Sequence, residues 1–294
     1  SRASCHDDLK FYAYFKLFKE TNYEKHFTLL LWHRKYRGRT DVPPLGDMEA
    51  FRKRGVLEKE SILITKPFDI KGFIQLRVRY WDIDRDDDNY AYLPALRRMR
   101  RLTGSDVTDP MLGSDLIWDD YEVWRQKLTS RMTFRVLEHR DFLVPKTYVG
   151  WGLKRAPWRG FDYARRGPCF QVDWELRPLW VMEILIHDPD YAYSKRVVYL
   201  DALPLERGGT FMLYWGEQYD QRGRLWRANG TGAPACNPEG FRNLYCWMYM
   251  DVMRHHYSGF TGYPVYVVPE EFRREIPLRE EEVFTIKGLL RRAR

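Results

Sequence analysis

The chain has 294 residues, of which 44% are hydrophobic and 31% charged, enough to bury a substantial core and too apolar for wholesale disorder. Its apolar stretches, such as Phe27 to Trp32 with Thr28 inside it, are far too short to cross a bilayer as a helix. Forty-nine Lys and Arg against 41 Asp and Glu leave a net charge of +8, which suits an anionic surface without demanding one.

The chain opens Ser-Arg-Ala-Ser-Cys-His-Asp-Asp, without a basic-then-apolar leader, as expected where a signal peptide is absent or has been removed. Arg2 stands where a lipoprotein processing site wants an apolar residue, which argues against lipidation at Cys5. Asp8 to Lys19 and Gly46 to Arg54 read as short helices. The first long strand is expected over His26 to Tyr36, followed by Ser61 to Thr65 and Phe73 to Trp81. In the last of these Ile74, Leu76, Val78 and Tyr80 alternate with Gln75, Arg77 and Arg79, which predicts one dry and one wet face. The dense acidic run Asp82 to Asn89 reads as a hairpin turn, with Tyr90 to Leu93 returning from it.

Trp118 to Lys127 has the acidic first turn of a helix behind Asp115. Met132 to Leu137 alternates again, with Met132, Phe134 and Val136 on one side. Lys146 to Gly167 is irregular and rich in Gly, Pro and Trp. Leu179 to Ile186 is more continuously apolar, and Arg196 to Asp201, Thr210 to Tyr219 and Leu225 to Ala228 form a run of hairpins, the last turned by Asp220-Gln-Arg-Gly223. Helical spacing appears within Pro238 to His256, and Glu270 to Glu282 is charged and ambiguous. The pattern is mainly β, in one domain built around a large, strongly curved antiparallel sheet.

Few motifs carry chemistry. Asp82 to Asn89 superficially resembles a calcium loop, but Asp87 stands where the loop needs Gly and Leu93 where it needs the bidentate Glu. His255, His256 and Asp251 lack a third ligand at suitable spacing, so no metal is expected. Gly104-Ser105-Asp106 and Gly113-Ser114-Asp115 lack the second glycine of a nucleophile elbow, and Gly150-Trp151-Gly152 is no dinucleotide fingerprint. No catalytic residue and no cofactor are expected. Arg97, Arg98, Arg100 and Arg101 form a basic cluster that reads either as a solvated strand face or as a contact to an anionic headgroup or partner; no groove-reading or stacking motif accompanies it, so nucleic acid is not expected. Of the cysteines at 5, 169, 236 and 246, Cys236 and Cys246 flank a Pro/Gly/Asn stretch where a loop-closing disulfide is as plausible as two buried thiols.

Two ordered blocks carry a family resemblance. The first is Tyr90-Ala-Tyr-Leu-Pro94, the arginine cluster, Leu112-Gly-Ser-Asp115 and Trp118-Asp-Asp-Tyr121. The second is Trp180-Val-Met-Glu-Ile184, Tyr193-Ser-Lys-Arg196, Val198-Tyr-Leu-Asp201, Tyr219-Asp220, Gly223 and Leu225-Trp226, with Val283-Phe-Thr-Ile286 and Leu289 closing the pattern. This resembles the outer-membrane lipoprotein-sorting-like proteins, including domain-of-unknown-function family 1329, a group related in fold to the periplasmic lipoprotein carriers of the Lol system. The resemblance covers residues 60 to 290, and the first 59 residues match little. It implies an incomplete, strongly bent antiparallel β-barrel closed by short α-helices, around an apolar cavity that receives acyl chains. A helical covering segment would begin at Leu112.

The implied function is a non-enzymatic carrier or chaperone for lipids or lipoprotein acyl chains in the periplasm of a Gram-negative bacterium. It would make transient membrane-surface contact and hand over to a resistance-nodulation-division type transporter. The dry faces supply the expected cavity lining: Ile74, Leu76, Val78, Tyr80, Met132, Phe134, Val136, Trp180, Met182 and Ile184. A rival expectation is a structural subunit docked in a cell-envelope assembly, and a lipid or glycan hydrolase is a remote third.

Overall fold

The computed structural model describes residues 7–40, 42–103, 108–120, 127–149, 161–162, 169–170, 172–209, 212–232, 235–236, 242–243, 246–265 and 279–292. Cys5, the Gly150-Trp151-Gly152 segment, most of the irregular stretch to Gly167, the continuation of the Trp118 helix through residue 126 and the charged run to residue 278 lie outside them.

The fold is mainly β. Thirteen strands form one large antiparallel sheet: β1 (Asp8–Lys19), β2 (Asn22–Lys35), β3 (Val56–Lys66), β4 (Ile74–Tyr80), β5 (Asp88–Leu93), β6 (Arg98–Leu102), β7 (Met132–Pro145), β11 (Trp174–Ile186), β12 (Lys195–Asp201), β13 (Leu213–Tyr219), β14 (Leu225–Gly232), β17 (Cys246–Asp251) and β18 (His256–Val265). Their order, β6-β5-β4-β3-β2-β1-β18-β17-β14-β13-β12-β11-β7, leaves the sheet open, with β6 and β7 as its terminal strands. The two-residue strands β8 (Tyr148–Val149), β9 (Phe161–Asp162), β10 (Cys169–Phe170), β15 (Ala235–Cys236) and β16 (Arg242–Asn243) form two small separate sheets. The helices are short: α1 (Glu49–Arg52), α2 (Glu280–Val283) and α3 (Ile286–Arg292).

The chain divides into two compact units, residues 1–5, 15–25 and 104–261 in the first, residues 6–14, 26–103 and 262–294 in the second. In the second unit, α2 and α3 cover one face of β2, β3 and β4. Val283, Phe284 and Leu289 pack there with Trp32, Leu63, Ile74 and Leu76 in a core from which water is excluded. Polar groups clamp the same helices: Lys59 pairs with Glu280, Tyr36 donates to the Glu280 carboxylate, Ser61 donates to the Val283 carbonyl, and Lys59 Nζ donates to the Phe284 carbonyl at 3.3 Å. A side chain at Gly288 would collide with the carbonyl oxygens of Glu281 and Glu282, so only glycine lets the two helices turn so tightly.

Three expectations are corrected. Asp8 to Lys19 is β1, not a helix; Ala13, Phe15 and Leu17 are buried at alternate positions, the period of a strand, with Leu9 buried on the same parity and Tyr12 exposed. Pro238 to His256 holds no helix among its described residues. Cys246 to Asp251 is β17, and the Asp251 carboxylate accepts the backbone N–H groups of Met253 and Arg254 at 3.1 and 3.0 Å, closing a hairpin turn into β18. The supposed wet face of β4 is buried: Gln75, Arg77 and Arg79 are at most 5% exposed. Arg77 bonds Glu60 of β3 at 3.1 Å, while Arg79 reaches Glu58 at 3.5 Å and Asp87 at 2.8 Å, so each guanidinium leaves water only with a carboxylate beside it.

Candidate functional site: an exposed apolar strip

The first unit ends at β7, whose residues Thr133 to Arg140 are all exposed. β7 pairs with β11 from Met132↔Ile186 to Pro145↔Trp174, with a register shift where Val181↔Glu138 gives way to Met182↔Val136, leaving Leu137 as the extra residue. Directly paired residues share a sheet face. The register therefore puts Leu176 with Leu143, Trp180 with His139, Met182 with Val136, and Ile184 with Phe134 on one face. Next door, β12 adds Leu200 opposite Trp180 and Val198 opposite Met182.

Along β11 the other set, Arg177, Leu179, Val181 and Glu183, is buried, whereas Leu176 is 73% and Trp180 41% exposed. On β7, Phe134, Val136 and Leu143 are 43%, 54% and 59% exposed. The strip fades into core at Ile184 and Ile186: Ile186 packs with Ile117 and Tyr193. Single exposed apolar side chains are ordinary on a protein surface, but a cluster of them on one face of neighbouring strands, interrupted here by Asp141 opposite Pro178, suits an interaction surface. The His139 ring stacks on Trp180, centroids 4.2 Å apart, which holds the indole flat in the strip.

The remaining expected residues sit elsewhere. Ile74 and Leu76 are buried beneath α2 and α3, with Val78 half-buried beside them, and Tyr80 packs with Tyr36 and Val56, its hydroxyl donating to Asp88 at 2.6 Å. Arg98, Arg100 and Arg101 lie on the terminal strand β6 and Arg97 just before it, all exposed; Arg101 pairs with Asp88. In the acidic run, Asp87 and Asp88 are taken up by Arg79, Tyr80 and Arg101. Among the described residues, no group of His, Cys, Asp and Glu is arranged to hold a metal. Cys246 is buried with Sγ 3.2 Å from the Gly232 carbonyl, and the side chain of Cys236 lies outside the described residues.

On the same sheet face, where the strip gives way to core at Ile184, stands a buried charge network that sequence reading missed. Asp120 receives the Tyr193 hydroxyl at 2.6 Å and the Ile117 N–H at 3.0 Å, pairs with Arg196 at 2.7 Å and lies 3.7 Å from Arg227. Arg196 on β12 is fully buried and pairs with Gln218 of β13 across the ladder, so the network ties the 117–120 turn onto the sheet.

A second polar knot joins β18 to the segment before that turn. His256 Nδ1 lies 2.6 Å from Asp115 and Nε2 3.0 Å from Glu24; Ser258 donates to Asp115 at 2.6 Å. Both ring nitrogens face carboxylates, which only accept, so both donate and the imidazole is cationic. The Asp115 hydrogen bond is the main cause that raises the His256 pKa above its ordinary value, with partial burial opposing it and Glu24 adding to it. A raised folded-state pKa means the contribution to stability is fully present below the unfolded value of about 6.5 and is lost as pH climbs through the folded one. The melting temperature of His256→Gln should therefore fall furthest below that of the parent at acidic pH, and the gap should shrink in mildly alkaline buffer; a gap that widens with pH contradicts the assignment.

A family model described as protein of unknown function DUF1329 matches residues 25–262. The chain belongs to the DUF1329 family. A DUF1329 protein from Desulfovibrio piger superposes with a TM-score of 0.65 at 14% identity, over 98% of this chain and 93% of that one. A domain named for outer membrane lipoprotein sorting, from Vibrio parahaemolyticus, gives 0.59 at 16% identity, over 91% and 90%. A LolA superfamily protein from Nitrosomonas europaea gives 0.52 at 12% identity, over 92% of each chain. At such identities the likeness establishes the shared fold. No curated protein matches the chain in sequence.

Proposed function

We propose that this DUF1329 protein is a non-enzymatic carrier of lipid-like molecules or lipoprotein acyl chains, acting as one domain in the periplasm of a Gram-negative bacterium. The observation that carries the reading is the apolar strip of β7 and β11, whose Val136, Leu143, Leu176 and Trp180 stand exposed in register on one sheet face. Burying apolar surface yields about 25 cal/mol per Å², so a few hundred Å² of acyl chain supplies several kcal/mol without any polar recognition. The fold shared with proteins named for lipoprotein sorting and for the LolA superfamily supports the same reading. No helix among the described residues is long and apolar enough to cross a membrane. Arg97, Arg98 and Arg100 have no ion-pair partner among the described residues and suit a headgroup, a membrane surface or an inner-membrane transporter of the resistance-nodulation-division type.

Titration with a fluorescent fatty acid should saturate at a fixed stoichiometry and be reversed by excess unlabelled fatty acid. Failure to saturate contradicts the carrier reading. The strip equally suits a permanently docked partner in an envelope assembly, since β7 is a terminal strand with an unshared edge in the sheet order. That reading predicts a protein complex that survives purification and carries no lipid.

A further inference from the structure

Three strands of the first unit carry a different surface from the apolar strip. Arg227 of β14, Asp251 of β17 and His256 of β18 lie directly opposite one another across the ladder. With Lys19, Arg254 and the segment Pro110 to Asp115 they line a cavity of about 470 Å³, a size that holds a small ligand. Its two acids are already occupied. Asp115 receives His256 and Ser258, and Asp251 receives the Trp226 indole N–H at 3.1 Å besides the N–H groups of Met253 and Arg254.

The cations are less well served. Lys19 has no hydrogen-bond or ion-pair partner among the described residues, and the exposed Arg254 guanidinium stays 3.9 Å from Asp251. Arg227 is 3% exposed; one terminal nitrogen donates to the Tyr193 hydroxyl at 2.7 Å and lies 3.7 Å from Asp120, but its buried Nε has no hydrogen-bond partner among the described residues. A buried guanidinium N–H without an acceptor is rare enough to require an account. Guanidinium groups pair best with oxyanions that accept several hydrogen bonds at once.

We propose that this cavity binds the phosphate group of a small ligand, with Lys19, Arg227 and Arg254 as its cationic contacts and the imidazolium of His256 beside them. The chemistry is shared by a soluble phosphoryl compound and by a phospholipid headgroup, and it is independent of whether the apolar strip carries acyl chains.

Isothermal titration with glycerol 3-phosphate and with monomeric short-chain phosphatidylglycerol tests the assignment. Saturable binding is expected, weakened about tenfold or more in Lys19→Gln/Arg254→Gln, whose exposed side chains leave the fold intact, and weakened also in Arg227→Gln. Equal affinity for the two probes supports a soluble phosphoryl ligand; phosphatidylglycerol tighter by about tenfold supports a lipid headgroup. No saturable binding of either probe at about 10 mM, or affinity unchanged in the Lys19/Arg254 variant, overturns the proposal. Fatty-acid uptake measured on the same variant separates the two sites, because loss of phosphate binding should leave uptake by the untouched strip in place.

Discussion

Asp120→Ala should destabilise the protein by about 3–5 kcal/mol, the range for removing one partner of a buried ion pair. Asp120 is 1% exposed and is the carboxylate that compensates fully buried Arg196 and, more distantly, Arg227. Without it the two guanidinium groups remain out of water, the Tyr193 hydroxyl loses its acceptor and the Ile117 N–H is left bare. Arginine does not escape by neutralising, since its pKa stays above any working pH, and the pairing with Asp120 helps raise that of Arg196 further against the opposing effect of burial. Asp120→Asn keeps an oxygen for the N–H and the hydroxyl, and should lose less than alanine does. Adding Arg196→Met to Asp120→Ala should restore part of the loss, because the pair then goes as a unit. Urea unfolding measures all three variants. A loss under about 1 kcal/mol for alanine contradicts a network that holds the 117–120 turn by charge.

The opposite separation of stability and binding is expected on the strip. Val136→Glu and Leu176→Glu change side chains that are 54% and 73% exposed, so their effect on stability should stay within about 0.5 kcal/mol. Each removes one large apolar contact, worth about 1.5–3 kcal/mol when fully covered, and sets a carboxylate where the proposed carrier would seat an acyl chain, so fatty-acid affinity should fall about tenfold or more. Phe68→Ser is the control. Phe68 is 92% exposed but lies in the turn between β3 and β4, away from the β7–β11 register, and its loss should leave uptake unchanged. If Phe68→Ser impairs uptake as much as the strip variants do, exposed apolar area in general matters and the strip is not the site.

Much of the fold was readable because period-two alternation survives wherever one face is dry and the other wet. The strip is the clearest instance: Met132, Phe134 and Val136 alternate in the sequence, and the register sets them against Met182, Ile184 and Ile186. Leu143 and Leu176 were missed for local reasons. The extra residue Leu137 breaks the alternation of β7 before Leu143, and Pro178 interrupts β11 after Leu176, so the sequence reading stops β7 at Leu137 and starts β11 only at Leu179. β4 misled in the other direction, because its arginines signal a wet face to any hydropathy count while their carboxylates come from Glu58 and Glu60 of β3 and from Asp87 of the acidic turn. β1 was legible in principle from Leu9, Ala13, Phe15 and Leu17, but its lysines and lack of β-branched residues imitate a helix. No local pattern announces the Asp120 network, which joins residues 120, 193, 196 and 227 only once the strands are paired.

The most direct test of the carrier reading is native mass spectrometry of the protein purified from its native cells, followed by solvent extraction and lipid analysis. A stoichiometric bound lipid or acyl chain, lost from Leu176→Glu and retained by Phe68→Ser, is the predicted result. An empty protein that also takes up no fatty acid contradicts it and leaves the β7–β11 strip to a protein partner.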